Sequence, residues 1–236
     1  MKRPKLVDGE IYHIVLRGVE QRQIFLDETD HYRGIFSLFE FNNANPVSIK
    51  ERRKDRFRFK RQIARGLTSD NFERILLVEI LAFTLMPNHL HLLLRQIKSN
   101  GISLFVQKLG TGYASYFNRK YKRSGHLFQG RFHAVHVKTD EQLERVFVYI
   151  HTNPVAIIES KWKERGIRNR ASAKYFLKNY RWSSYLDYIG KKNFSSVSER
   201  KFLLKTIGGE KKCCDLINQQ IDYNGSYCDS EKIGLE

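Results

Sequence analysis

Two long apolar runs separated by a very short link constrain the fold of this sequence more than any other feature. The first run, FERILLVEILAFTLMP, ends at Pro87, and the second, NHLHLLLRQI, follows it directly. Apolar runs of this composition are typical of strands, and the tight link predicts either an antiparallel pair or one strand that continues past a kink. A β-sheet is therefore expected at the centre of the fold.

Further strands and helices are predicted on both sides of these runs. Residues 9–19, GEIYHIVLRGV, alternate as a first strand with Tyr12, Ile14 and Leu16 on one side. The remaining elements are a helix capped by Asp27 that has ended by Pro46, a helix from Ser103 to Tyr121, a strand within FHAVHVKT, and a helix over DEQLERVFVYIHTN capped by Thr139 or Asp140. This order favours an α+β sandwich with an antiparallel sheet and helices on one side.

The chain is expected to divide into three segments. Residues 1–156 hold the regular elements, with an insertion at about 47–70, and residues 157–190 contain aromatic-rich helical pieces that form an extension. Residues 191–236 form a partly helical tail, which is polar and expected to be loosely attached from about Glu210.

The cysteines suggest no covalent framework. Cys213, Cys214 and Cys228 form an odd set near the C-terminus with two adjacent members. Such a set is a poor basis for disulfides and lacks the paired arms of a structural zinc site. Reduced thiols in a peripheral tail are predicted.

The charge balance indicates a polyanionic partner. The sequence has 42 Lys and Arg residues against 25 Asp and Glu residues, a net charge of +17. An excess of this size favours nucleic acid over a merely soluble surface. An anionic membrane is the weaker alternative, because no basic amphipathic helix and no apolar segment of about 18 residues accompanies the charge. The first residues contain no apolar run followed by a cleavage site, so a cytoplasmic protein is expected.

The insertion at about 47–70 contains the densest charge of the chain. Between Lys50 and Arg65 there are nine Lys or Arg residues, and Phe57 and Phe59 lie among them. A solvated surface loop and an arm that contacts nucleic acid fit this pattern equally well. The candidate DNA contacts in this segment are Arg52, Arg53, Arg56 and Arg58.

Two histidines stand where a buried strand would ordinarily carry aliphatic residues. His89 and His91 are two apart, so on a strand they leave the same face, with their roots roughly 6–7 Å apart. Two neutral imidazoles at that distance can converge on one divalent ion, although a structural pair is also compatible with the spacing. Leu90, Leu92 and Leu94 would fill the core on the opposite face, so another element must cover the histidines.

The last predicted helix is a candidate for this cover. Tyr149 and Asn153 are four apart, so their side chains lie one above the other on a helix. The Asn153 amide could complete a set of metal ligands, and the phenol of Tyr149 would point at whatever the metal binds. From spacing alone, a half-buried tyrosine that only packs is an equally open alternative.

Four motifs, in this order, make the sequence recognisable. Together they closely resemble the REP-associated tyrosine transposases, the single-tyrosine branch of the HUH nuclease superfamily. The motifs are MPNHLHLLL, LFVQKLGTGYASYFNRKYKRSGHLFQGRF, YIHTNPV and WSSY. The resemblance extends from about residue 12 to about residue 188 and leaves out the 47–70 insertion and the tail after about 190. It implies a ferredoxin-like antiparallel sheet with helices packed on it, the HUH endonuclease fold, and a helical C-terminal extension.

The resemblance also implies roles for individual residues. It assigns metal binding to His89 and His91, the nucleophile to Tyr149 and a candidate third ligand to Asn153. It implies Mg²⁺ or Mn²⁺ as the metal, and single-stranded DNA next to a hairpin as the substrate. The implied activity is cutting and rejoining through a 5′-phosphotyrosine.

Other basic residues and other activities stay open at this point. Arg17 and Arg131 are candidates for phosphate contacts, and a structural role is as compatible with each. His126, His133 and His136 are not expected to be ligands. The alternatives to strand transfer are a protein that binds hairpins but no longer cuts, and a nuclease whose metal activates water. Neither a monomer nor a homodimer is favoured.

Overall fold

Four strands form one antiparallel sheet in this computed structural model, which describes residues 4–47 and 74–223. The strands are β1 (Ile11–Arg17), β2 (Val78–Met86), β3 (His89–Gln96) and β4 (His133–Val137), in the spatial order β2-β3-β1-β4. The two apolar runs are β2 and β3, which pair antiparallel around Pro87 and Asn88. The predicted antiparallel pair and α+β fold are therefore confirmed, and the single kinked strand is excluded.

The predicted helices are present close to their expected limits. They are α1 (Glu28–Phe41), α2 (Gly101–Lys120) and α3 (Asp140–Thr152), followed by α4 (Val155–Ile158), α5 (Trp162–Arg165), α6 (Arg170–Leu177), α7 (Tyr185–Tyr188), α8 (Lys201–Ile207) and α9 (Gly209–Asp222). The Asp27 side chain caps α1, and that of Thr139 caps α3 by accepting the backbone N–H of Gln142. Across the two described ranges, no helix is long and apolar enough to cross a bilayer.

One face of the sheet packs on α1 and α2. Its core includes Tyr12, Ile14 and Leu16 of β1 as well as alternate leucines of β3, as the strand alternation predicted. The two helices approach closely: a Cβ on Gly112 of α2 would lie 2.2 Å from the Phe41 ring of α1. Burial on this face leaves the side chains of the intervening strand residues, including His91, on the other face.

The second face of the sheet is also covered, so the expectation of helices on one side is wrong. Helix α3 lies over β2 and β3, where Leu81 and Leu93 pack with Phe147, and the C-terminal helices complete this second core. Both β2 and β3 are buried at nearly every position, as expected of strands that are covered on both faces.

The WSSY motif attaches the C-terminal extension to the free edge of β2. The backbone N–H of Leu85 donates to the Trp182 carbonyl at 2.9 Å, and that of Ser184 donates to the Phe83 carbonyl at 3.0 Å. The Ser184 hydroxyl in turn accepts the Phe83 N–H at 3.0 Å. These bonds satisfy edge groups that would otherwise be open to pairing with another strand.

The prediction of a loosely attached stretch from Glu210 is wrong for residues 210–222. Helix α9 buries Cys213, Leu216 and Ile221 in the second core, because its apolar residues recur at helical spacing within a polar sequence. Cys213 and Cys214 are free thiols as predicted, but Cys213 is buried rather than peripheral. Cys228 lies outside the described residues.

Candidate active site

The four residues singled out for chemistry lie together between β3 and α3. The Nε2 atoms of His89 and His91 are 2.9 Å apart, and the Asn153 amide nitrogen is 3.1 Å from Nε2 of His91. The Tyr149 ring stands edge-on to the His91 ring, with a centroid separation of 5.4 Å. Residues far apart in the sequence thus form one cluster, buried except for the half-buried His89.

Hydrogen bonds fix the last turn of α3 next to the cluster. Asn153 is the helix C-cap, and its N–H donates to the Tyr149 carbonyl at 3.1 Å, so the two side chains keep helical spacing. The Thr84 hydroxyl of β2 donates to the Ile150 carbonyl at 2.9 Å and ties this turn to the sheet. Pro154 then starts α4 and ends the regular helix.

The orientation of His89 follows from its neighbour Asn88. The Asn88 amide nitrogen donates to the Gln21 carbonyl, so its oxygen faces Nδ1 of His89, at 2.6 Å. An amide oxygen only accepts hydrogen bonds, which places the His89 proton on Nδ1 and leaves a lone pair on Nε2. That lone pair points toward His91.

A third histidine, His13, which the sequence analysis missed, contacts the ring nitrogen of His91 that faces away from His89. Nε2 of His13 lies 3.0 Å from Nδ1 of His91, and the two rings stack with centroids 5.1 Å apart. When His91 donates its Nδ1 proton to His13, its Nε2 lone pair faces the same point as that of His89. Metal-bound histidines are commonly oriented by such an outer partner.

Burial keeps the imidazoles of His91 and His13 neutral. Desolvation lowers the pKa of His91 well below 6.5, and the nearby His89, His13, Lys163 and Arg17 lower it further. The pKa of His13 falls to about 3 for the same leading reason, with His133, His89 and Lys163 contributing. Neutral imidazoles have the lone pairs that a metal requires.

The donor set fits a divalent cation with open coordination positions. The candidates to hold it are Nε2 of His89 and of His91 and the side-chain amide of Asn153, whose oxygen and nitrogen exchange places on a 180° flip. All three would bind a metal as uncharged ligands. No cluster of three or more His, Cys, Asp or Glu side chains suited to a metal occurs in residues 4–47 and 74–223. Because uncharged ligands do not offset the charge of a cation, the full charge would act on a bound phosphate.

Lys163 of α5 is a second residue that the sequence analysis missed. Its Nζ lies 4.4 Å from the centroid of the Tyr149 ring and donates to the Tyr149 hydroxyl at 3.4 Å. The Tyr149 side chain is 3% exposed, so Lys163 is part of what covers it. Lys163 comes from a segment whose sequence signals are weak, and only its proximity to the phenol marks it.

The other residues considered in the sequence analysis lie at the border of the cluster, outside it, or outside the described residues. Arg17 ends β1 directly opposite His89 in the register, whereas Arg131 is exposed in the loop before β4. His136 pairs with Glu10 at 2.8 Å, outside the cluster. The DNA contacts predicted in the insertion lie outside the described residues: Arg52, Arg53, Arg56 and Arg58.

Known proteins were compared with both the sequence and the structure. No curated protein matches the sequence. A solved structure described as a REP-associated tyrosine transposase bound to a REP hairpin overlays with a TM-score of 0.49 at 12% sequence identity, covering 82% of this chain and 88% of that one.

The family comparison is more specific. Residues 46–153 match the family model of IS200-like transposases. The matched range contains β2, β3 and α3, and with them His89, His91, Tyr149 and Asn153. It also spans the whole of the basic insertion at about 47–70, which the motif resemblance had left out. By this match residues 46–153, just under half of the chain, are similar to the family of IS200-like transposases.

Proposed function

We propose that this chain is a metal-dependent enzyme that nicks and rejoins single-stranded DNA next to hairpins, with Tyr149 as the nucleophile. The observation that carries the proposal is the meeting of the Tyr149 phenol with His89, His91 and the Asn153 amide in one cluster. The similarity of residues 46–153 to the IS200-like transposases and the net charge of +17 support it.

His89, His91 and Asn153 are the residues that would hold the metal. A bound Mg²⁺ or Mn²⁺ would supply Lewis-acid polarisation of a non-bridging phosphate oxygen. Imidazole ligands are less typical of Mg²⁺ than carboxylates and water are, so we expect Mn²⁺ to bind more tightly in vitro. His13 would hold the His91 ring in the tautomer whose Nε2 lone pair faces the cation.

Tyr149 would form the covalent link. Its hydroxyl oxygen attacks the phosphorus and forms a P–O bond, the phenol proton leaves, and the bond from phosphorus to the 3′-oxygen breaks. That oxygen takes up a proton and becomes a free 3′-hydroxyl, while the 5′-phosphate stays on the tyrosine. A free phenol has a pKa of about 10 and is a poor nucleophile at neutral pH, so positive charge near its oxygen is needed.

The covalent link would make rejoining an easy step. A phosphotyrosyl bond is a phosphodiester, so its hydrolysis is not required for turnover. Attack by another 3′-hydroxyl reverses the cut and restores the Tyr149 phenol, and nicking thereby becomes strand transfer. An active site that excludes water favours this outcome over hydrolysis, and Tyr149 is almost fully buried.

Denaturing electrophoresis of labelled DNA tests the proposal against its two alternatives. Hairpin-bearing single strands labelled at the 5′ or the 3′ end are incubated with the protein and Mn²⁺, with and without a chelator. We expect a chelator-sensitive band of covalent protein–DNA that carries only the 3′-side label. Cleavage without such a band would indicate a hydrolytic nuclease, and tight binding without cleavage would indicate a hairpin-binding protein.

Lys163 is expected to contribute charge to the reaction. Replacing it by Gln keeps most of the side-chain length but removes the cation near the Tyr149 oxygen. We expect adduct formation to slow about tenfold, which corresponds to about 1.4 kcal/mol, because the developing phenoxide loses a positive neighbour. Single-turnover kinetics on the labelled strand measure this effect, and Lys163→Arg should restore most of the rate. A Lys163→Gln enzyme faster than wild type would instead mean that Lys163 only blocks access.

The basic insertion is proposed to hold the hairpin through Arg52, Arg53, Arg56 and Arg58. Neutralising phosphates with arginines releases counterions, so binding should depend steeply on salt. Deleting residues 50–66 should weaken hairpin binding and make log Kd less dependent on log salt, by about one unit of slope for each phosphate that is no longer neutralised. Fluorescence anisotropy across a salt series measures both, and an unchanged slope would remove the insertion from the binding surface.

Several sequence-based expectations stay predictions. They are the cytoplasmic location, the division at residues 156 and 190, and the phosphate contacts of Arg17 and Arg131. The choice between monomer and homodimer is best made by analytical ultracentrifugation of the full chain with and without DNA.

A further inference from the structure

A groove borders the candidate site on the side of the sheet that carries α2. It has a volume of about 730 Å³ and lies between α2 and the loop 125–132. Clefts that hold small ligands measure about 300–1,000 Å³, so this groove has room for a ligand on the order of two nucleotides in size.

The loop side of the groove is fixed to the sheet. The Gln129 N–H donates to the Arg17 carbonyl at 2.7 Å, and the Val19 N–H donates to the Leu127 carbonyl at 2.9 Å. Gly18 and Phe128 form an antiparallel bridge between these two bonds. The groove is therefore formed before any ligand binds, which lowers the entropic cost of binding.

The lining of the groove suits a single-stranded polyanion. Two guanidinium groups, those of Arg17 and Arg131, are exposed there, and no lining residue has a carboxylate. Neither arginine has an ion-pair partner among residues 4–47 and 74–223. The exposed side chains of Gln107, Thr111 and Gln129 add donors and acceptors, and the Phe128 and Phe132 rings add apolar surface. Phosphates pair with guanidinium groups, bases stack on aromatic rings, and amides bond to base edges.

One end of the groove reaches the candidate site. Arg17 lies directly opposite His89 in the β1–β3 register, and its charge contributes to the lowered pKa of His91. The loop at the other wall runs straight into β4, whose His133 pairs with Val15, between His13 and Arg17. A strand whose scissile phosphate lies at Tyr149 therefore has a direct path past Arg17 into the groove.

We propose that this groove binds the unpaired nucleotides that flank the scissile phosphate, and that Gln107 and Gln129 distinguish their bases. The inference rests on the proposed strand-transfer function and adds a location for the sequence preference of the enzyme. Arg17 and Arg131 would hold the backbone without regard to sequence, whereas the two amides would contact base edges.

Filling the groove tests the inference. Thr111→Trp places an indole in it from an exposed position of α2, and Leu104→Trp is the matched control, because Leu104 is 38% exposed on the same helix but does not line the groove. The probe is a fluorescein-labelled single strand of about 20 nucleotides, longer than the ~4–16 nucleotides that one binding fold covers. Ser115→Trp is the second filling variant if Thr111→Trp does not fold by circular dichroism.

We expect the filling variant to bind the strand about tenfold more weakly and the control to bind within about twofold of wild type, since a lost base stack weakens binding by about 1–3 kcal/mol. Removing single bases from the strand should weaken wild-type binding at one or two positions beside the cut. The same removals should have a smaller effect on a Gln107→Ala, Gln129→Ala double variant.

Adduct formation separates failure of this inference from failure of the proposed function. If wild type forms the adduct but the Thr111→Trp and Leu104→Trp variants share one Kd and one KM, the groove inference is wrong and the proposed function stands. If wild type neither binds single strands nor forms an adduct, both are wrong. A higher KM with unchanged kcat in Thr111→Trp alone supports the groove as a binding subsite.

Discussion

Replacing Tyr149 by phenylalanine is expected to abolish the covalent protein–DNA adduct and to reduce nicking by a factor on the order of 10³ or more. The substitution removes one oxygen atom, the one proposed to attack phosphorus, and keeps the ring that packs edge-on against His13 and His91. Binding of the labelled single strand should change by less than about threefold, because the ring and the surrounding charges remain. Single-turnover nicking and anisotropy on the same strand measure the two effects.

Other tyrosines that could be considered as the nucleophile provide the control for this experiment. Tyr113 and Tyr116 lie on α2, where Tyr113 is buried and donates to the Ile24 carbonyl, and Tyr116 donates to Asp30. Tyr116→Phe should keep full adduct formation. An adduct that persists in Tyr149→Phe would mean that another group attacks the DNA, and the role assigned to Tyr149 would be wrong.

Replacing His91 by alanine is expected to remove metal binding and, with it, nicking activity. His91 is the centre of the cluster, since His89, His13 and Asn153 all lie within 3.1 Å of its ring nitrogens. Removing it leaves His89 and an amide, too few ligands to hold a divalent ion well. We expect a loss of nicking on the order of 10²-fold or more and the disappearance of the rise in Tm that Mn²⁺ gives wild type, because ligand binding stabilises the folded state.

Thermal shift gives a readout that does not depend on activity. Because His91 is buried, its removal also lowers the Tm of the metal-free protein, so the comparison is the shift with and without Mn²⁺ in each variant. The half-buried His89 provides a second variant, and His136→Ala, outside the cluster, is the matched control. An undiminished Mn²⁺ shift in both His91→Ala and His89→Ala would place the metal elsewhere or exclude it.

The fold follows from local patterns to a large extent. The alternation in β1, the two apolar runs and the caps Asp27 and Thr139 are short-range signals, and each element formed close to its predicted limits. The arrangement of helices on both faces did not follow, although Leu81 of β2 and Leu93 of β3 place apolar side chains on the second face. Local periodicity predicts which residues are buried, but not which element buries them.

The candidate site, too, could be predicted from the sequence only in part. His89 and His91 share one strand and Tyr149 and Asn153 one helix, so each pair could be found by spacing, and the family resemblance brought the pairs together. His13 belongs to the site through its contact with His91, which is 78 positions away in the sequence. Lys163 belongs to it through its contact with Tyr149, 14 positions away. No local pattern marks such contacts, because they depend on the β1–β3 register and on the packing of α5. A signal for His13 existed in YHIVLRG, where it lies on the face opposite Tyr12 and Ile14, but its partner became known only from the sheet order.

Peptide mapping of the covalent adduct tests the central claim most directly. Trypsin cleaves after Arg145 and Lys161, so Tyr149 lies in a peptide of residues 146–161 that contains no other tyrosine. After reaction with a hairpin-bearing single strand and Mn²⁺, followed by nuclease digestion, mass spectrometry should find this peptide with a nucleotide linked through its 5′-phosphate to Tyr149. Cleaved DNA with a free 5′-phosphate and an unmodified 146–161 peptide would contradict the account, as would a nucleotide on any other residue.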